Sequence, residues 1–211
     1  MSIRFLLLAS VLSAGLSACA SVPLTSMPKL MGLSVETVDP GALEMAVIVP
    51  DTVGVRPGSA ILSFTVRDDD TGESLDLNQI VDMPVEALDP VLSRASGPGQ
   101  HVHRFRLSDE AATALEAYRS EALAFREARA GTKGSLSARV GFCRLDGTRF
   151  PDTVPMTIFV RTKPGQDFFR LLRTQRLDME DHAATMNASE EHLCPDPEGR
   201  MLLDEMEAEK G

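Results

Sequence analysis

The sequence predicts a mainly β fold, an antiparallel immunoglobulin-like β-sandwich with one inserted amphipathic helix over 108–130 and a helical C-terminal tail. Three observations predict it. Six short segments are β-branched or alternate apolar with polar residues, and turn-forming Gly, Pro and Asp separate them. The hydrophobic period changes from two to 3.6 once, over a single long segment. The chain has 211 residues, 43% of them hydrophobic, so it can close a core of its own. An α+β layer with the long helix packed on one sheet is the alternative.

The elements follow in order. Residues 20–42 carry Pro23, Pro28, Gly32, Pro40 and Gly41 and read as a tether. Leu43 to Val49, LEMAVIV, is a first strand. Ala60 to Val66 is a second, with Ala60, Leu62, Phe64 and Val66 on one buried face. RDDDTGESL then has the chemistry of a hairpin turn, with a return strand over Glu73 to Leu77. Asp68, Asp70 and Gly72 are similar to a calcium loop, but position 79 holds Gln79 where the distal glutamate belongs, so a plain acidic turn is expected.

Residues 82–100, with Pro84, Pro90, Gly97, Pro98 and Gly99, read as a long irregular connection. His101 to Leu107 is a strand that leads into the helix. There Ala111, Leu115, Tyr118, Ala122 and Phe125 form one stripe, Ser108 is the N-cap, and Asp109, Glu110, Arg126 and Arg129 suit the helix dipole. Gly131 and Gly134 are read as its end. In LSARVGF, Leu136, Ala138, Val140 and Phe142 face the core and Cys143 falls on the opposite side. A turn at Leu145 to Thr148 precedes a last strand with Val154, Met156, Ile158 and Val160 inward. Residues 166–177 read as a second helix and 199–209 as a third.

Charge divides the molecule. Residues 178–211 hold 11 acidic and 2 basic groups, whereas residues 19–177 hold 20 acidic and 18 basic, so the tail carries nearly all of the net negative charge. Such a tail is solvated or disordered by composition. A formal charge of −10 argues against a phosphate backbone as partner, and the absence of Trp with one Tyr argues against base stacking, so no nucleic acid is expected.

Candidate chemistry is sparse. There is no G-x-S-x-G, no phosphate-binding glycine loop and no H-E-x-x-H. His101 and His103, two apart on a strand, share a face, and His192 with Cys194 repeats the spacing; together they would make four ligands of the zinc type. That set conflicts with a disulfide at Cys194, and two histidines on a sheet face with no metal and no cofactor is the expectation. Arg170, Arg173 and Arg176 would form a cationic stripe on the second helix and are candidate partner contacts, or they balance the acidic segment after them.

The N-terminus carries an address. MSIRFLLLASVLSAGLSACA has one positive charge, Arg4, an apolar run from Phe5 to Leu12 and small residues before Cys19, which reads as a secretory signal over 1–18. The run is far short of the roughly 20 residues that a bilayer core demands. Leu16, Ser17, Ala18 and Cys19 resemble the lipobox of bacterial lipoproteins. The resemblance implies cleavage before Cys19 and acyl chains on its thiol, a membrane partner through that anchor, and, with Ala20 in place of Asp, an outer-membrane site facing the periplasm. Cys143 and Cys194 are then the two remaining thiols in an oxidising compartment, and a disulfide between them is expected. The expected organisation is signal peptide 1–18, lipidated Cys19 and tether 19–42, β-rich domain 43–177 and acidic tail 178–211. The function expected is a non-enzymatic binding or scaffold module with an envelope protein as partner; a small-ligand or lipid carrier, or a hydrolytic or metal-dependent enzyme, are the alternatives.

Overall fold

The computed structural model describes residues 35–195 apart from 82 and 88. The signal segment, Cys19 and the helix expected over 199–209 lie outside the described residues. The described residues form ten strands: β1 (Glu44–Pro50), β2 (Val53–Val55), β3 (Ile61–Asp68), β4 (Ser74–Ile80), β5 (Met83–Pro84), β6 (Gln100–Arg106), β7 (Thr132–Arg139), β8 (Phe142–Arg144), β9 (Thr153–Arg161) and β10 (Phe169–Asp178). Three helices accompany them: α1 (Pro90–Ala95), α2 (Asp109–Glu127) and α3 (Glu180–Ala188). The fold is mainly β, and every strand pair is antiparallel.

A five-stranded sheet has the order β10-β9-β1-β6-β5, a three-stranded sheet β4-β3-β7, and β2 with β8 makes a short ribbon. Apolar side chains from both larger sheets meet in one core: Met45, Val47 and Val49 of β1, Leu62, Phe64 and Val66 of β3, and Val154, Ile158 and Val160 of β9. β3 buries alternate residues, as its pattern predicts. β1 differs because it is buried on both sides. Its other face, Ala46 and Ile48, packs with Leu92 of α1, Phe159 and Phe168 in a second cluster. That explains a continuous apolar run rather than an alternating one.

The expected hairpin forms between β3 and β4, with Gly72 at φ 77° in its turn. The acidic turn is closed on itself: Asp68, 4% exposed, accepts from the Asp70 backbone and from Thr71 Oγ1. α2 also forms as expected, with the Ser108 side chain accepting from Ala111 N and with Leu115, Tyr118 and Ala122 buried. Tyr118 donates toward the carbonyls of Leu75 (2.8 Å) and Phe64 (3.3 Å), which fastens the helix to the smaller sheet. Its C-cap is Ala128, so the helix ends before Gly131, and Gly134 lies within β7. The connection over 82–100 is less irregular than its composition implies: Asp89 caps α1, and Pro90 at its first position suits the fixed φ of proline.

The helix expected over 166–177 is corrected to a strand. β10 pairs with β9 from Phe169↔Val160 to Asp178↔Thr153, and register shifts between Arg170 and Leu172 and between Leu172 and Gln175 each add one residue. Two bulges turn a period of two into spacings of three, which imitate a helix in the sequence. The apolar strand β9 needs a hydrogen-bonded neighbour on that side, and tertiary pairing overrides the local pattern. Consequently Arg170 and Arg176 are not parts of a helical stripe. Both are exposed strand residues, Arg170 with its guanidinium 5.3 Å from the centroid of Phe159, and the side chain of Arg173 lies outside what is described.

The acidic segment after 178 is folded over its described residues, 179–195. α3 sets Ala183 and Met186 into the core, and Asn187 holds Phe150 by accepting from its N–H (2.7 Å) and donating to its carbonyl (3.0 Å). Beyond α3, Leu193 bridges Arg144, and Cys194 N–H donates to Arg144 O at 2.8 Å.

Candidate functional site

Cys143 and Cys194 form the expected disulfide, which joins β8 to the segment after α3. Cys143, off the core face as expected, meets that returning segment and is fully buried beneath it. The bond also overturns the four-ligand arrangement, since Cys194 has no thiolate to offer. His192 is elsewhere, with its Nδ1 3.4 Å from Arg56 Nη2. Among the described residues, no group of three or more His, Cys, Asp or Glu side chains is arranged to hold a metal ion.

His101 and His103 are together, as the two-residue spacing requires. Their β1 partners are Val49 and Val47, which face the main core, so both imidazoles sit on the inner side of the large sheet at its rim. The rings meet edge to face, with centroids 4.4 Å apart and Nε2 atoms 2.5 Å apart. Asp51, in the turn between β1 and β2, reaches His101 Nδ1 with its Oδ1 at 3.3 Å. The turn is anchored because Asp51 N–H donates to Gly99 O at 3.0 Å. Deeper in, His103 stacks on Phe105 with centroids 6.2 Å apart. Asp51 escapes a reading of the sequence because a hairpin-like return, and not sequence proximity, brings it to His101.

Burial lowers the pKa of His103 to about 4, the neighbouring His101 adds to that, and a hydrogen bond with the Val53 backbone opposes both. The unfolded ring takes its proton near pH 6.5, so between 6.5 and about 4 the unfolded chain binds more protons than the folded one. Stability from this group is complete above pH 6.5 and falls as the pH drops toward 4, by about 3 kcal/mol. Urea unfolding of the wild type and of His103→Gln at pH 7.0 and about pH 4.5 checks this. The variant should lose less stability over the interval, and equal losses would refute the assignment.

A second charged cluster lies on the other face of the large sheet. Glu44 is the sole charge within the first apolar strand, and that is the signal by which the sequence could have revealed it. Its carboxylate accepts from Arg104 Nε at 2.5 Å and from Arg161 Nη2. Phe168 lies 5.5 Å from the Arg104 guanidinium and 4.8 Å from that of Arg161. All charges here are matched internally, so the cluster holds elements together and leaves the histidine rim as the group with open chemistry. No protein-family model, curated protein or solved structure matches this chain.

Proposed function

We propose that the protein is a lipid-anchored, non-enzymatic binding or scaffold module of a bacterial cell envelope, facing the periplasm from the outer membrane. One observation carries the reading. The chain has 3 cysteines, and the Cys143–Cys194 bond accounts for two of them, which leaves Cys19, the residue at the lipobox position, as the one outside it. A disulfide also fits an oxidising compartment. Among the described residues no helix is long and apolar enough to cross a membrane, in keeping with attachment by acyl chains.

The immunoglobulin-like arrangement belongs to this proposal, supported by two antiparallel sheets that share one apolar interior. A partner protein would add to an exposed sheet margin, where Ile80 (46% exposed) and Met83 (38%) stand close in sequence at the end of β4 and in β5. The carrier alternative calls for an apolar chamber near α2. The recess between Val38, Phe64 and Leu136 measures about 10 Å³, space for one water and not for an acyl chain, and the open cleft of about 550 Å³ beside α2 is lined by the charged Asp39, Glu116, Arg119 and Lys163.

Mass spectrometry of the protein extracted from its own membrane tests the reading. The expected result is loss of residues 1–18, acyl mass on Cys19 and a co-purifying protein, with Cys19→Ser shifting the chain to the soluble fraction. An unmodified Cys19, or membrane retention of Cys19→Ser, would overturn it.

A further inference from the structure

We infer that β4 is a self-association edge, at which two copies of the chain pair about a two-fold axis through Leu77 and join their β4-β3-β7 sheets into one antiparallel sheet. The inference rests on the exposed sheet margin of the proposed function and not on the lipid anchor, and it names a second copy of this chain as the occupant of the β4 part of that margin.

The backbone defines the edge. Asp68 N–H donates to Glu73 O and Val81 N–H to Ala60 O, which fixes the odd-numbered residues of β4 as those bonded to β3. The N–H and C=O groups of Ser74, Asp76, Asn78 and Ile80 therefore point away from the sheet, and all four residues are exposed. Outer strands are commonly protected by a proline, a bulge or a charge standing over the edge. The sequence of β4, SLDLNQI, has no proline, and its register with β3 is unbroken from Ile61↔Ile80 to Arg67↔Ser74. Its single charge is drawn onto the sheet face, because Thr65 Oγ1 donates to Asp76 Oδ1 at 2.5 Å and Ser74 Oγ donates to Asp76 Oδ2 at 2.7 Å.

The occupant follows from the register. Antiparallel pairing of β4 with its own copy over the whole strand sets Ser74 against Ile80 and Asp76 against Asn78, so every outward backbone group finds a partner. Ser63 Oγ donates to Asn78 Oδ1 at 2.5 Å, which leaves the Asn78 amide N–H groups as donors, and the carboxylate opposite them is Asp76 of the second copy. On the inner face Leu77, itself half-buried, meets Leu77 of the second copy in a close pair on the axis. A slip by two residues in one direction sets Asp76 against Asp76. The hydroxyls of Thr65 and Ser74 hold that carboxyl below the usual range, so both would be charged, and like charges directly opposite are destabilising. A slip in the other direction sets Asn78 against Asn78, and either slip leaves two residues of each strand unpaired. The register of greatest overlap is thus also the one in which charge and hydrogen bonding match. β4 supplies 7 residues from each copy, against the about 20–30 a side of a standard interface, so the association is weak and reversible.

Cysteine substitution in cells that produce the full chain tests the pairing, since Cys143 and Cys194 are bonded to each other. Under mild oxidation Leu77→Cys should link two copies. Asp76→Cys and Asn78→Cys stand diagonally from their own counterparts, about 7–8 Å away, and should not. The wild-type chain, oxidised beside them, reports any link through Cys19, so a failure of lipidation is told apart from a failure of pairing. Sedimentation of the purified full chain in density-matched detergent is the second measurement, and the wild type should show a concentration-dependent equilibrium of monomer and dimer. Asn78→Asp, which sets carboxylates face to face on both sides of the axis, should weaken association about 10-fold, and Asp76→Asn/Asn78→Asp, which restores the match, should recover it. A monomer at every concentration, linking at position 76 or 78 equal to that at 77, a link from Leu77→Cys to a different protein, or a double variant as weak as Asn78→Asp would each overturn the proposal.

Discussion

Removing the Cys143–Cys194 bond is expected to cost the folded chain about 4 kcal/mol, read as the change in urea unfolding free energy of a Cys143→Ala/Cys194→Ala variant. The bond spans a sequence separation of 51 and so restricts a long stretch of the unfolded chain. In the chain-entropy account a loop of that length lies between the about 3 kcal/mol of a 15-residue loop and the about 4.7 kcal/mol of a 100-residue one. Other contacts share the work of holding the returning segment: the Asn187 bonds to Phe150, the Arg144 Nε bond to Met186 O and the buried Ala183 and Met186. A loss below about 1 kcal/mol would mean that α3 alone secures it, and would refute the estimate.

A companion substitution separates the bond from its surroundings. Gly54 lies opposite Cys143 in the β2–β8 ribbon, and a Cβ at Gly54 would fall on Cys194 Sγ and come within 3.1 Å of Cys143 Sγ. Gly54→Ala should therefore destabilise the oxidised protein by about 1–3 kcal/mol through overpacking. The same change should cost distinctly less in the Cys143→Ala/Cys194→Ala background, where both sulfurs are gone. A Gly54 effect that is equal in the two backgrounds would show that Leu145, whose Cδ2 is 3.3 Å from the same point, is the real obstacle.

How much of this was legible in the sequence follows from the range of the interactions involved. The strands β1, β3, β6 and β9, the β3–β4 turn and α2 were all readable, because alternation, turn residues and a Ser cap are local signals. β10 was misread since its two bulges depend on pairing with β9, and nothing local marks a skipped register. α3 was legible only as a helical tail, with the named helix set at 199–209 and not at Glu180–Ala188. Its sequence EDHAATMNA is acidic and lacks a strong apolar stripe, and its place is fixed by two small contacts, Ala183 and Met186, and by Asn187. Of the candidate site, the facing of His101 and His103 was readable from their two-residue spacing. Asp51 was not, because the contact spans 50 residues and depends on the turn after β1. The cysteine pairing was readable by elimination once Cys19 was assigned to lipid.

Replacing Glu44 by Ala is expected to destabilise the fold by about 3–5 kcal/mol, the range for removing one partner of a buried ion cluster. The side chains of Glu44, Arg104 and Asp89 are 13%, 11% and 14% exposed, and that of Arg161 is 22% exposed, so water compensates little for a lost carboxylate. Without Glu44 two guanidiniums would face each other across the same site, with Arg104 keeping its bond to Ala87 O and Arg161 keeping Asp89 Oδ2 at 3.8 Å. Arg161 would then draw harder on Asp89, whose other oxygen caps α1 by accepting from Val91 N–H and Leu92 N–H. Hydrogen exchange at Val91 and Leu92 should accordingly quicken in Glu44→Ala, beyond what global unfolding accounts for. Glu44→Gln, which retains an acceptor oxygen, should cost less than the alanine. A concerted Glu44→Met/Arg104→Leu/Arg161→Met replacement, which leaves Asp89 with only the backbone bonds of its cap, should cost less than Glu44→Ala, since burying matched charges offsets much of what their attraction contributes. If the triple variant were as unstable as Glu44→Ala, the charges themselves would be the source of stability and the desolvation argument would fail. If Glu44→Ala lost under about 1 kcal/mol, the cluster would be behaving as an exposed surface pair.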